Sequence, residues 1–154
     1  LVFWAHTIRP LGIPYADYLH AYQSWFSYDE FMLGFIESLQ GEYTQAVVSD
    51  SFPGLSEQLR KEQRLAELFD AIFLSDELGM TKKHEGDKLF SHVLKTIKAK
   101  PEECIFIDDK QHNLVAPKQM GITTILHEST TNTLSQLRKA LWSTGGGSDE
   151  IDAR

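Results

Sequence analysis

"CIFIDDKQHNLVAPKQMGI", residues 104–122, decides how this chain is read: an apolar run stops on two adjacent aspartates, and a helical pattern then resumes and closes on a glycine. The run 104–108 has the length and the β-branched and aromatic content of a strand covered on both faces. Setting Asp108 and Asp109 side by side where such a strand meets a loop is costly. Like-charged carboxylates at van der Waals range raise each other's pKa unless a cation or several donors compensate. The pair therefore implies a cationic partner at this strand end.

Working outward, three further runs read as strands of the same kind: 45–49 (QAVVS), 71–75 (AIFLS) and 122–126 (ITTIL). Amphipathic segments lie between them. Phe31, Met32, Phe35, Ile36 and Leu39 fall at helical spacing and predict a helix over 30–40, with Ser27 and Glu30 as a capping box in front. Leu89, Phe90, Val93, Leu94 and Ile97 repeat that spacing. Residues 54–69 and 111–120 also read as helices, and Leu134, Leu137 and Leu141 suggest a short closing one. The gaps between strands are mostly long enough for helical crossovers, so parallel strands with right-handed connections follow. The class is α/β.

The two ends differ from this pattern. Residues 1–27 are rich in aromatics (Phe3, Trp4, Tyr15, Tyr18, Tyr22, Trp25, Phe26), with weak helical periodicity over 15–26, and read as part of another, mostly helical unit. The stretch "STGGGSDEIDAR", 143–154, has three glycines and too little apolar surface to offset chain entropy, so it is expected to be disordered. The expected division is thus 1–27, a core over 28–142, and a tail.

Composition narrows the function. With 154 residues and 42% hydrophobic content the chain can bury one ordinary core. A net charge of −7, with no basic run longer than two residues, argues against a nucleic-acid partner, because affinity for phosphate backbones rests on clustered Lys and Arg. Small molecules or proteins are the expected partners, and the sequence sets no oligomeric state. The single cysteine, Cys104, excludes an intramolecular disulfide framework and reads as a core thiol. The six histidines show no ligand spacing. No apolar stretch approaches the ~20 residues that span a bilayer and no charged-then-apolar leader is present, so no membrane association is expected and the cytoplasm is the expected compartment.

In open parallel sheets, ligands bind at the carboxyl ends of the strands. There the sequence sets Ser49-Asp50 after the first strand, Ser75-Asp76 after the second with Lys82 and Lys83 beyond, and Asp108-Asp109 after the third. A hydroxyl, an ammonium and paired carboxylates on one rim suit a phosphate held beside Mg²⁺. The carboxylates supply hard oxygen ligands, while lysine and hydroxyl bind phosphoryl oxygens.

The ordered motifs "AVVSDS", "FLSDELGMTKK" followed by "DKLF", and "CIFIDDKQHNLVAPKQMGI" resemble the haloacid dehalogenase-like (HAD) hydrolase superfamily, in its branch with a small helical cap and a DD-type final motif. The resemblance covers roughly residues 25–128. It implies a Rossmann-like, three-layer core with a parallel sheet, here with the remnant of a cap. It also implies a Mg²⁺-dependent hydrolase in which an aspartate attacks a phosphoryl group or, in a few members, an alkyl halide; a phosphatase of small phosphorylated metabolites is the expected case. Carried over, Ser49 is the hydroxyl residue that binds a phosphoryl oxygen, with Asp50 beside it at the substrate. Lys82 is the lysine that steadies nucleophile and substrate charge. Asp109 is the direct metal ligand, Asp108 its neighbour, and Asn113 the supporting polar residue.

The sequence departs from the family pattern in two ways. Lys83 stands where a proline usually follows the lysine, which leaves Lys82 and Lys83 as alternatives, with Lys82 preferred. The family's first motif, Asp-x-Asp, carries the nucleophile and the general acid, and it does not occur in the 154 residues. The expectation drawn is an N-terminally truncated sequence that is inactive by itself, with a natural pseudoenzyme, a non-catalytic binding or scaffolding domain of the same fold, as the alternative. A phosphoacceptor receiver domain also gathers acids, a hydroxyl and a lysine at strand ends, but its acidic pair comes first in the chain and its lysine last, the reverse of the order here.

Overall fold

A computed structural model describes residues 9–24, 27–52 and 54–143. The expectations for residues 1–8, for Trp25 and Phe26, and for the tail 144–154 lie outside these. The elements run α1 (Tyr15–Ser24), α2 (Glu30–Ser38), β1 (Ala46–Ser49), α3 (Leu55–Lys61), α4 (Gln63–Leu68), β2 (Ala71–Leu74), α5 (Ser75–Leu78), α6 (Gly86–Ile97), β3 (Ile105–Asp108), α7 (Val115–Gln119), β4 (Thr123–Leu126) and α8 (Thr130–Ser143), with short 3₁₀ turns between some of them. Strands alternate with helices and every pairing is parallel, so the α/β, Rossmann-like reading holds.

The four strands form two separate parallel pairs. β1 pairs with β2 in the register Ala46↔Ala71 to Ser49↔Leu74, and β3 with β4 from Ile105↔Thr123 to Asp108↔Leu126. Among the described residues no ladder joins β1 to β3. What bridges the pairs is α6. Its Leu89 and Val93, one turn apart, pack with Phe73 of β2 and with Ala46 and Val48 of β1. Its Phe90 and Leu94, the adjacent stripe, pack with Ile122 and Phe106 on the β3–β4 side. Leu89 and Phe90 are 1% and 2% exposed, which makes this helix the centre of the core. Phe90 meets Phe106 edge to face at 4.7 Å between ring centroids, a geometry that adds to simple burial.

α6 starts against α7, and the approach there admits no side chain: a Cβ at Gly86 would lie 2.7 Å from Ala116 Cβ. No helix among the described residues is long and apolar enough to cross a membrane.

Local details correct several sequence expectations. The cap of α2 is Asp29, whose carboxylate accepts from Met32 N–H at 3.0 Å, and not a Ser27–Glu30 box. Glu30 is the first helical residue, too early to reach back as the box requires, and its carboxylate instead pairs with Arg64. The helix expected over 54–69 is two helices, broken at Glu62, where the backbone is extended at φ −74° and ψ 100°. The segment 111–120 begins as a 3₁₀ turn, Gln111–Leu114, before α7. The closing helix α8 is longer than its three leucines suggested and includes Ser143, the first residue of the expected tail.

Candidate active site

One lysine links the end of β1 to the end of β3. α5 stops at Gly79, in the left-handed region at φ 66°, where a side chain is disfavoured. The chain then turns back over the strand ends and carries Lys82 inward. Lys82 Nζ donates to the Val48 carbonyl at 3.2 Å, next to Ser49, and to Asp108 Oδ2 at 2.6 Å. Its backbone N–H donates to Asp50 Oδ1 at 3.0 Å. Lys83 is exposed, so of the two alternatives Lys82 is the one that faces the acids.

Asp108 is the last residue of β3, and its side chain points into the core side of the rim. Its second oxygen accepts from Asn113 Nδ2 at 2.9 Å and from the Lys110 N–H at 2.8 Å. Two donors and an ammonium compensate this buried carboxylate, as the paired aspartates required. Asn113 is 4% exposed, and its Oδ1 is buried without a hydrogen-bond partner among the described residues.

Asp109 turns the other way, as adjacent strand-end residues do. Its carboxylate is 60% exposed and lies 2.9 Å from Lys110 Nζ. The hydrogen bond from Lys110 holds its pKa below the ordinary carboxylate value, against a smaller opposing effect of burial and with help from the charges of Lys110 and Lys82. The structure therefore brings Lys82, Asp108, Asn113 and the end of β1 at Ser49 and Asp50 together, and leaves Asp109 at the edge of that group.

The donor set suits a hard cation. No cluster of three His, Cys, Asp or Glu occurs among the described residues, but Mg²⁺ is commonly held by one or two carboxylates, with waters and substrate phosphate completing its shell. An exposed Asp109 carboxylate on a single surface lysine, beside a saturated Asp108, fits that pattern.

The sequence singled out Ser75 and Asp76 only as strand-end residues; the structure gives them partners. Asp76 Oδ1 accepts from the Ser51 hydroxyl at 2.6 Å and from the Ser56 hydroxyl. Ser75 Oγ accepts from Ser51 N–H at 2.8 Å and donates to the Ser51 carbonyl at 3.2 Å. These contacts join residues 20 to 25 apart in the chain, and no local spacing announces them. An open depression beside them, lined by Gly54, Ser56, Arg60, Lys61 and Glu77 among others, includes none of Ser49, Lys82 and Asp108, and its cations Arg60 and Lys61 are already paired with Glu77 and Glu57.

Comparison with known proteins bears on the family and the fold. Residues 17–127 match the profile of the family described as haloacid dehalogenase-like hydrolase. The chain is 39% identical over 75 residues to bifunctional epoxide hydrolase 2 of Rattus norvegicus, which covers 49% of this chain and 13% of that protein. It is 30% identical over 112 residues to the sesquiterpene phosphatase astK of Aspergillus oryzae, covering 72% of this chain and 56% of that one. It thus spans a small part of the first relative and about half of the second. Among solved structures, a predicted HAD-like hydrolase from Porphyromonas gingivalis superposes with a TM-score of 0.69 at 22% identity, covering 89% of this chain and 72% of that one. A HAD family enzyme of Bacteroides thetaiotaomicron, solved in complex with magnesium and inorganic phosphate, superposes with a TM-score of 0.65 at 21% identity, covering 78% and 65%. At these identities the structural likeness speaks to fold.

Proposed function

The chain belongs to the haloacid dehalogenase-like hydrolase family, and from that premise we propose that it is the phosphate- and Mg²⁺-handling part of a phosphatase acting on small phosphorylated metabolites. The observation that carries the reading is the Lys82 ammonium, 2.6 Å from the Asp108 carboxylate and 3.2 Å from the carbonyl preceding Ser49. A cation so placed, between a strand-end hydroxyl and paired acids, can meet phosphoryl oxygens without leaving its buried partner. The phosphatase among the relatives supports the choice of phosphate over halide.

In this reading the Ser49 hydroxyl donates to one phosphoryl oxygen and Lys82 neutralises charge on another, with Asp50 held by the Lys82 N–H and fixing the loop between them. Asp109 would bind Mg²⁺, and Asp108 would keep Lys82 oriented while Asn113 orients Asp108. When bound, Mg²⁺ supplies charge neutralisation at the phosphoryl group. Turnover further needs a carboxylate nucleophile that forms an aspartyl phosphate and a second acid that protonates the leaving group. No Asp-x-Asp segment occurs in the 154 residues, so the chain by itself binds and does not hydrolyse. That same absence favours, as a second reading, a non-catalytic binding or scaffolding domain.

The test is hydrolysis of p-nitrophenyl phosphate with Mg²⁺ by the 154-residue chain and by a form joined to an upstream Asp-x-Asp strand. Turnover is expected only in the joined form, lost when its first aspartate becomes asparagine or when Asp109→Asn is introduced. A joined form that folds, binds phosphate and never turns over would favour the scaffold reading.

A further inference from the structure

The loop after β1 carries the Ser49–Asp50 end of the rim, yet it is not held by its own strand. Residues 50–52 leave β1 as irregular backbone, and regular structure resumes at α3, which begins at Leu55. Irregular segments of this kind are the mobile part of most folds unless tied down. Here ties come from the end of β2, through Ser75 and Asp76.

We infer that Asp76 is a positioning residue of the phosphate site: its carboxylate clamps the loop after β1 at both ends, through the hydroxyls of Ser51 and Ser56, and so holds Ser49 and Asp50 against Lys82. The inference rests on the phosphate-binding reading above and adds to it a residue that touches neither phosphate nor metal. Ser51, two residues past Ser49, is fixed through three of its groups: N–H and carbonyl by Ser75 Oγ, and hydroxyl by Asp76 Oδ1. Ser56, 4% exposed in the first turn of α3, delivers its hydroxyl to the same oxygen. Asp76 follows Ser75 directly and precedes the turn that delivers Lys82, whose N–H binds Asp50. The serine segment and the lysine segment of the rim are thus one hydrogen-bonded unit with Asp76 at its hinge. Burial works to raise the pKa of Asp76, but the two hydroxyls and its local backbone N–H groups outweigh it and keep the carboxylate ionised.

A residue that only stabilised the fold would change unfolding and nothing else; a clamp changes the site in molecules that remain folded. The experiment therefore measures Mg²⁺-dependent binding of inorganic phosphate to the 154-residue chain by titration, together with amide hydrogen exchange. For Asp76→Ala we expect phosphate affinity to fall roughly tenfold, the scale of a hydrogen bond to a charged group. Exchange should quicken at the Ser51 and Lys82 amides, with the Thr123 amide of the distant β4 unchanged. Asp76→Asn, which keeps an acceptor oxygen in place, should recover most of the affinity. If Asp76→Ala does not fold, Ser51→Ala and Ser56→Ala each remove one arm of the clamp and should show the same local pattern at smaller amplitude. Wild-type affinity in a folded variant, or exchange that quickens equally at Thr123, overturns the clamp while leaving the phosphate site standing. Absence of phosphate binding by the wild-type chain overturns the phosphate-site reading itself.

Discussion

Lys82 Nζ lies 2.6 Å from Asp108 Oδ2, with the two side chains 11% and 5% exposed, and this pair joins one parallel strand pair to the other. Breaking a buried pair leaves an unpaired charge, which costs about 3–5 kcal/mol, whereas removing both partners costs much less than the sum. Lys82→Met and Asp108→Leu should each lower unfolding stability by about that amount, and the double variant should recover more than ~1 kcal/mol of the summed loss. Denaturant unfolding of the four proteins checks this. Strict additivity would show that the two charges do not act as a pair.

The second expectation concerns α6. Phe90 is 2% exposed and packs against Phe106 across from the β3–β4 pair, while its neighbour Leu89 faces β1 and β2. Phe90→Ala should cost about 3–5 kcal/mol, the range for an aromatic deleted from a closed core. A loss under ~1 kcal/mol, measured by thermal or denaturant unfolding, would mean the helix is not the bridge between the two pairs.

Much of this architecture was legible because the strands announce themselves as short runs of β-branched and aromatic residues and α6 by its apolar periodicity. Leu89, Phe90, Val93, Leu94 and Ile97 read as one helical face, and the structure divides that face into two stripes, one for each strand pair. What sequence could not show depended on distance in the chain. Asp29 replaces the expected Ser27–Glu30 cap because Glu30 finds Arg64, a residue 34 positions away. In the site, the cation implied by Asp108-Asp109 was legible, and the choice of Lys82 over Lys83 waited on the turn at Gly79. The Asp76–Ser51–Ser56 contacts were illegible, since serine and aspartate at a strand end read equally well as turn residues.

A third expectation is acid sensitivity of the loop after β1. Asp76 sits below its ordinary pKa of 3.8, with burial opposing and the Ser51 and Ser56 hydroxyls favouring the charged form. A depressed folded-state value means its contribution is fully present above the unfolded pKa and is lost as pH falls through the folded one. Wild-type stability should therefore decline on acidification from about pH 5 downward, and Asp76→Asn should flatten part of that decline. Tyr15 and Arg60 also lie within the field of this carboxylate, and neither changes charge in the acid range. Identical slopes for wild type and Asp76→Asn would remove Asp76 from the account of acid stability.

In the proposed phosphate and Mg²⁺ site, Ser49, Lys82 and the paired aspartates act together, with Asp109 as the metal ligand and Asp108 as the partner of Lys82. The most direct measurement is calorimetric titration of the 154-residue chain with inorganic phosphate, with and without Mg²⁺, beside Asp109→Asn. Phosphate binding that Mg²⁺ strengthens is expected in the wild type, and the Asp109→Asn protein should be folded and stable, because the exposed Asp109 supports no core contact, while its phosphate binding no longer responds to Mg²⁺. An undiminished Mg²⁺ response in Asp109→Asn would contradict this assignment.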